Sequence, residues 1–164
     1  IEELSKKWNL KFEEIKSVKS KVSIHKLDDV EVYILVPDVF MNNSGKALKP
    51  ALKKYNLNIN DVLIVHDDLD LTSGTCKLKK YGGDGGHNGL KSIIENFGGN
   101  KDFLRMRIGI GHPGDSKKVN DYVVKKGTRK EIHERKKAIM SGIEIIEDII
   151  LNEWEKAVNK LHSK

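Results

Sequence analysis

Val30-Glu-Val-Tyr-Ile-Leu-Val-Pro37 is a run of β-branched and aromatic residues, nearly apolar on both faces, as expected of a strand covered on two sides. It is expected to be central in its sheet. Downstream, Asn42, Asn43 and Ser44 precede Ala47, Leu48, Ala51, Leu52 and Tyr55, whose spacing gives one apolar helical face with polar capping residues in front. Pro50 predicts a short or kinked helix. A second apolar strand at residues 62–65 runs into His66-Asp67-Asp68-Leu69-Asp70, so carboxylates gather where a buried strand ends.

Working outward, residues 73–80 read as an edge strand whose Lys77, Lys79 and Lys80 also blunt edge-to-edge association. A glycine-rich loop, Tyr81-Gly-Gly-Asp-Gly-Gly-His-Asn-Gly89, opens a helix with apolar Leu90, Ile93, Ile94 and Phe97, ended by Gly98-Gly99. Residues 103–111 alternate, with Met106, Ile108 and Ile110 on one face and Arg105 and Arg107 on the other. Thr128 and Glu131 form a capping box ahead of a long helix through Ile150, and a last helix carries Trp154, Val158 and Leu161. Strands alternating with helices predict an α/β fold: a mixed, largely parallel twisted sheet flanked by helices in an α/β/α sandwich, with C-terminal helices. Residues 1–164 form one expected domain, without an internal repeat or linker.

The composition sets limits on function. The 38% hydrophobic and 33% charged residues, with 14 Gly and 3 Pro, exclude a disordered or collagenous chain. No apolar stretch approaches the roughly 20 residues of a membrane span, and the one cysteine, Cys76, excludes an internal disulfide framework. A cytoplasmic location is expected. The net charge of +6 and pI near 9.2 favour a polyanionic partner, against the bland reading of a lysine-rich solvated surface. Ile1, Leu4 and Trp8 recur at helical spacing with no capping residue before them, which leads us to expect further sequence upstream.

The glycine loop has neither the GK[ST] ending of a P-loop nor the spacing of the dinucleotide fingerprint. Its glycines permit close backbone approach by a substrate, and Asn88 can either cap the helix, the favoured local role, or present its amide outward. His66, Asp67, Asp68, Asp70, His87 and His112 could be grouped as metal ligands, but no HExxH or comparable spacing is present. Adjacent Asp67 and Asp68 point to opposite faces of an extended chain, so one acid should enter the site and the other be solvated. The sharper expectation is metal-free hydrolysis, in which a carboxylate holds an imidazole base while amides fix the carbonyl and stabilise the oxyanion. Asp67, Asn42 and Asn88 are of the right type for this. Lys79 and Arg107 could clamp a phosphate outside it, with surface salt bridging as the alternative.

Four ordered motifs then carry a resemblance: residues 36–45 (VPDVFMNNSG), His66-Asp67-Asp68-Leu69-Asp70, residues 85–90 (GGHNGL) and residues 105–114 (RMRIGIGHPG). Together they closely resemble bacterial peptidyl-tRNA hydrolase, with good coverage from Ile1 to about Lys125. The resemblance implies a monomeric α/β enzyme that cleaves the ester between a peptide and the 3′-terminal ribose of tRNA. It also implies no metal, no cofactor, no membrane and no obligate protein partner. By motif match, Asp67 corresponds to the aspartate that orients the catalytic histidine, and Asn42 and Asn88 to the amides that hold substrate and water. Phe40 and Met41 would line the groove for peptide or terminal nucleotide. Lys79 and Arg107 match a basic pair that grips the tRNA 5′-phosphate, and His87 matches a supporting residue near the acceptor end. Asp84 receives no role.

One departure is large. The family pattern begins with a strand, a GNPG-type turn, a tyrosine and a TRHN-type motif that supplies the base histidine, and this opening pattern does not occur in residues 1–164. This chain is therefore expected to enter the pattern just beyond that histidine and, as written, to be inactive as a hydrolase. A rival expectation is an RNA-binding relative of the same fold that has lost hydrolysis, as in splicing factors. A metallohydrolase is a third.

Overall fold

In the computed structural model, residues 1–114, 119–125 and 127–162 are described. Six strands and six helices follow in the order α1 (Glu2–Trp8), β1 (Glu13–Ile15), β2 (Ser20–Leu27), β3 (Val30–Pro37), α2 (Ser44–Tyr55), β4 (Leu63–Asp68), β5 (Cys76–Lys80), α3 (Asn88–Asn96), β6 (Leu104–Gly109), α4 (Val119–Val124), α5 (Arg129–Ile150) and α6 (Trp154–His162) among the described residues. The chain forms two compact units, residues 1–63 with 80–104, and residues 64–79 with 105–164. The fold is α/β, with mixed sheets flanked by helices.

In the first unit, β1, β2 and β3 form an antiparallel sheet in that order. A two-residue turn joins β2 to β3, pairing Leu27 with Val30, and Asp28 takes φ 51° in it, a conformation Asp tolerates. This corrects the expectation for residues 30–37. β3 is an outer strand of its sheet, and only Ile34 on it is buried. The apolar run is packed on both faces, with Ile34 buried on one and Leu35 packed on the other, but the lysine-interrupted β2 is the middle strand. The Leu35 face meets α2: Val18, Val22 and Ala51 are buried together, with Ile15, Leu35 and Tyr55 against them. α2 runs through Pro50 for 12 residues.

Helices α2 and α3 approach closely because residue 45 is glycine. The Gly45 amide donates to the buried Ser92 Oγ (3.1 Å), and a Cβ at Gly45 would meet the Ser92 carbonyl oxygen and carbon. Asn96 Nδ2 donates to that same carbonyl (2.9 Å).

The second sheet has the order β4-β6-β5. Hydrogen bonds from Leu104 N to Val62 O (2.9 Å) and from Ile110 N to Asp68 O (3.0 Å) advance together along both segments, so β4 and β6 are parallel. Those from Gly109 N to Thr75 O (2.8 Å) and Tyr81 N to Phe103 O (3.4 Å) advance in opposite senses, so β5 is antiparallel to β6. β6 is thus the central strand, and Arg105 on it is buried to 2% exposure beside buried Met106. Its two arginines hid a strand that is covered on both faces. β4, expected to be buried, is an outer strand with Val65 55% exposed. In the second unit α5 packs on β5 and β6 through Gly142, where a Cβ would lie 2.6 Å from Met106 Sδ and 3.5 Å from Cys76 Sγ. The capping box is formed: Thr128 N donates to Glu131 Oε2 (2.6 Å) and Glu131 N to Thr128 Oγ1 (3.3 Å). Buried Asp148 on α5 accepts from Lys160 on α6 (2.6 Å) and pairs with Lys156 (3.0 Å).

Candidate functional site

The amide-bearing residues belong to the first unit. After β3 the chain makes a single 3₁₀ turn, Met41–Asn43, and enters α2 directly; Ser44 Oγ donates to the Met41 carbonyl (2.7 Å) and stabilises that turn. Asn43 makes no side-chain cap bond. Phe40 is 84% exposed, and Met41 and Asn42 are exposed beside it. The 3₁₀ turn meets the start of α3, where Met41 Sδ lies 2.7 Å from the position a Cβ would take on Gly89. Asn42 and Asn88 are therefore each one residue removed from a shared contact.

His87, not Asn88, caps α3. Its Nδ1 accepts from Gly89 N (3.1 Å) and Leu90 N (3.3 Å), two of the amides left without partners at a helix start. Asn88 is the first helical residue and its side chain is exposed, which corrects the expectation that it caps. The imidazole lies against Gly89, whose absent Cβ would come within 3.2 Å of Nδ1. A ring nitrogen that accepts from two amides carries no proton, so His87 is the neutral tautomer with its proton on Nε2.

The charged residues belong to the second unit. Asp67 is half-buried near the carboxyl end of β4. Asp68 beside it, expected to be one of a pair with a solvated member, is 12% exposed and accepts from Arg107 Nε (2.7 Å) and from the Asp70 amide (3.0 Å). Burial works against its charge, yet the Arg107 hydrogen bond, the Asp70 amide and the guanidinium charge outweigh it and hold the carboxyl below the usual carboxylate range. Asp68 thus shares a face with Arg107, and strand alternation turns Asp67 toward the other face. The antiparallel register continues through Lys77 and Lys79, which places both lysines on the Arg105 and Arg107 face, Lys79 exposed. Sequence reasoning missed the Asp68 and Arg107 pair, because partners on different strands leave no local spacing to read.

Among the described residues no three His, Cys, Asp or Glu side chains form a metal-binding group. Three of the other five histidines are engaged in other ways. His66 donates through Nδ1 to the Asp67 carbonyl (2.7 Å), His112 Nδ1 accepts from Gly114 N (3.0 Å), and His25 stacks on Trp8 with ring centroids 4.4 Å apart. No helix among the described residues is long and apolar enough to cross a membrane.

Comparison with known proteins is consistent across three kinds of match. The family model described as peptidyl-tRNA hydrolase matches residues 1–164. A peptidyl-tRNA hydrolase of Saccharophagus degradans is 46% identical over 134 residues, 82% of this chain and 68% of that one. One of Neisseria meningitidis is 40% identical over 164 residues, all of this chain and 85% of the relative. The crystal structure of a peptidyl-tRNA hydrolase from Acinetobacter baumannii superposes with a TM-score of 0.92 at 31% identity, over 98% of this chain and 81% of that one.

Proposed function

The chain belongs to the peptidyl-tRNA hydrolase family, and on that premise we propose that it hydrolyses the ester joining a peptide to the 3′-terminal ribose of tRNA, releasing free tRNA for reuse. The observation that carries this is the family match along residues 1–164. The relatives it is similar to are named as hydrolases, which does not favour the binding-only or metallohydrolase readings.

Water attacks the ester carbonyl, the carbonyl oxygen takes the developing negative charge, and the ribose oxygen leaves with a proton. Asn42 and Asn88 are the amides assigned to the substrate and the attacking water, and their donor groups are of the kind that stabilises an oxyanion. Asp67 is assigned to orient the base histidine and to stabilise its charged form. No motif within residues 1–164 matches the family's base histidine. His87 has its Nδ1 lone pair committed to two amides and its Nε2 protonated, so it is unsuited to accept the proton of water. His112 has its Nδ1 lone pair taken by the Gly114 amide, and His66, which donates Nδ1–H to the Asp67 carbonyl, keeps its Nε2 buried away from solvent. Phe40 and Met41, both exposed, are assigned to the groove for peptide or terminal nucleotide. Lys79 and Arg107 are assigned to the 5′-phosphate at the acceptor stem, with Asp68 holding Arg107 by Nε. The enzyme is read as a cytoplasmic monomer.

The test is turnover of a defined peptidyl-tRNA by the full chain and its variants. Asp67→Ala should act mainly on kcat, and Asn42→Ala on kcat and KM together. Full activity in Asp67→Ala, or activity abolished by EDTA and restored by zinc, would sink this reading.

A further inference from the structure

The glycine loop contains two residues that the proposed chemistry leaves without a mechanical role, Asp84 and His87. Asp84 Oδ1 accepts from Gly86 N (2.8 Å) and the Asp84 carbonyl accepts from His87 N (3.0 Å), closing a turn through Gly85 and Gly86 at φ 58° and 80°. The Gly86 amide is the chief reason the Asp84 carboxyl is held below its usual range. That turn delivers His87 to the start of α3, where its Nδ1 takes up the Gly89 and Leu90 amides. A helix start usually obtains such a cap from Ser, Thr, Asp or Asn. With histidine in that place, Asn88 is released from capping and its amide stays exposed.

We propose that Asp84 and His87 are positioning residues for Asn88, Asp84 by shaping the turn and His87 by capping α3 as a neutral, Nε2-protonated imidazole. This rests on the reading of Asn88 as a substrate-holding amide. Neither residue exchanges a proton with substrate. The two act in series: the carboxylate fixes where His87 leaves the loop, and the ring fixes where α3 begins. Gly89 makes the second step possible, because a Cβ there would meet the ring at 3.0 Å and Met41 Sδ at 2.7 Å. The same contact joins the residue before Asn42 to the residue after Asn88, so disturbance of the ring is felt by both amides.

The cap chemistry separates positioning from catalysis. Asparagine can accept from the same amides and cannot act as a base, whereas alanine does neither. In the full chain, His87→Asn should keep kcat/KM within about threefold of the parent, while His87→Ala should lose about ten- to a hundredfold, the scale of a misplaced reacting geometry. Asp84→Asn retains an acceptor for Gly86 and should stay near the parent, with Asp84→Ala falling in the same direction as His87→Ala. Introduced into Asn88→Ala, His87→Ala should add almost no further loss, because its effect passes through the amide. Long-range 1H–15N spectra of the parent should show the Nε2-protonated form of His87 irrespective of activity, which covers the case in which an alanine variant fails to fold. A proton on Nδ1, or a His87→Asn variant as impaired as His87→Ala while equally folded, overturns the proposal. Full activity in Asn88→Ala would instead overturn the role of Asn88, and with it the purpose of the positioning, while leaving the cap itself standing on the spectra.

Discussion

The two regions that carry the candidate residues are held by different forces. In the first unit, Asn42 and Asn88 are placed by close backbone packing and neutral hydrogen bonds: Gly45 on Ser92, Gly89 under Met41 and His87, and an imidazole cap. In the second, Asp68, Arg107 and the α5 to α6 link depend on ion pairs. The difference follows from reach. A short amide can be aimed only by placing its backbone, so the surrounding helices must meet without slack. A guanidinium on a long side chain can be aimed by a carboxylate on a neighbouring strand.

The contrast can be broken most severely at Gly45. Gly45→Ala should destabilise the protein by about 3 kcal/mol, because the new methyl meets backbone that cannot rotate away. A urea midpoint within error of the parent would show that α2 and α3 can separate freely. Next comes Asp68→Asn, with an expected loss of about 2 kcal/mol near neutral pH from the hydrogen bond to a charged partner. Because folding lowers the Asp68 pKa, its contribution is fully present above the unfolded carboxylate range and is lost as pH falls through the lower folded value. Stability measured from pH 6 down to 2 should therefore fall less steeply in Asp68→Asn, and parallel curves would count against the pair. Lys79→Ala should leave stability within about 0.5 kcal/mol, since the side chain is exposed. It should reduce the slope of log affinity for tRNA against log salt by about 0.9 if it contacts one duplex phosphate; an unchanged slope removes Lys79 from the interface. The smallest effect is at Cys76, whose thiol burial pushes up to about 11. Labelling by a disulfide reagent at pH 8 should be about a hundredfold slower than for a free cysteine, and rapid labelling would mean that α5 lifts from β5.

Legibility in the sequence tracked locality. The capping box at Thr128 and Glu131, the helix opened at Asn88 and closed by Gly98-Gly99, and the edge position of β5 were all readable, because each depends on residues a few positions apart. Strand rank was not. Residues 30–37 look central by composition and lie at the outside of their sheet, while residues 104–109 carry two arginines and form the middle of theirs. Periodicity reports which faces are apolar and says nothing of how many neighbours a strand acquires.

What the sequence determined alone is therefore the α/β class, the family motifs and the candidates that the proposed function draws on: Asn42, Asp67 and Asn88 for hydrolysis, Lys79 and Arg107 for phosphate. Tertiary structure decided how these residues are employed. It gave the cap of α3 to His87 and freed Asn88, paired Asp68 with Arg107, and buried Arg105. Each of those outcomes depends on which atoms meet once strands and helices pack, a three-dimensional fact governed by desolvation and hydrogen-bond geometry that spacing along the chain does not encode.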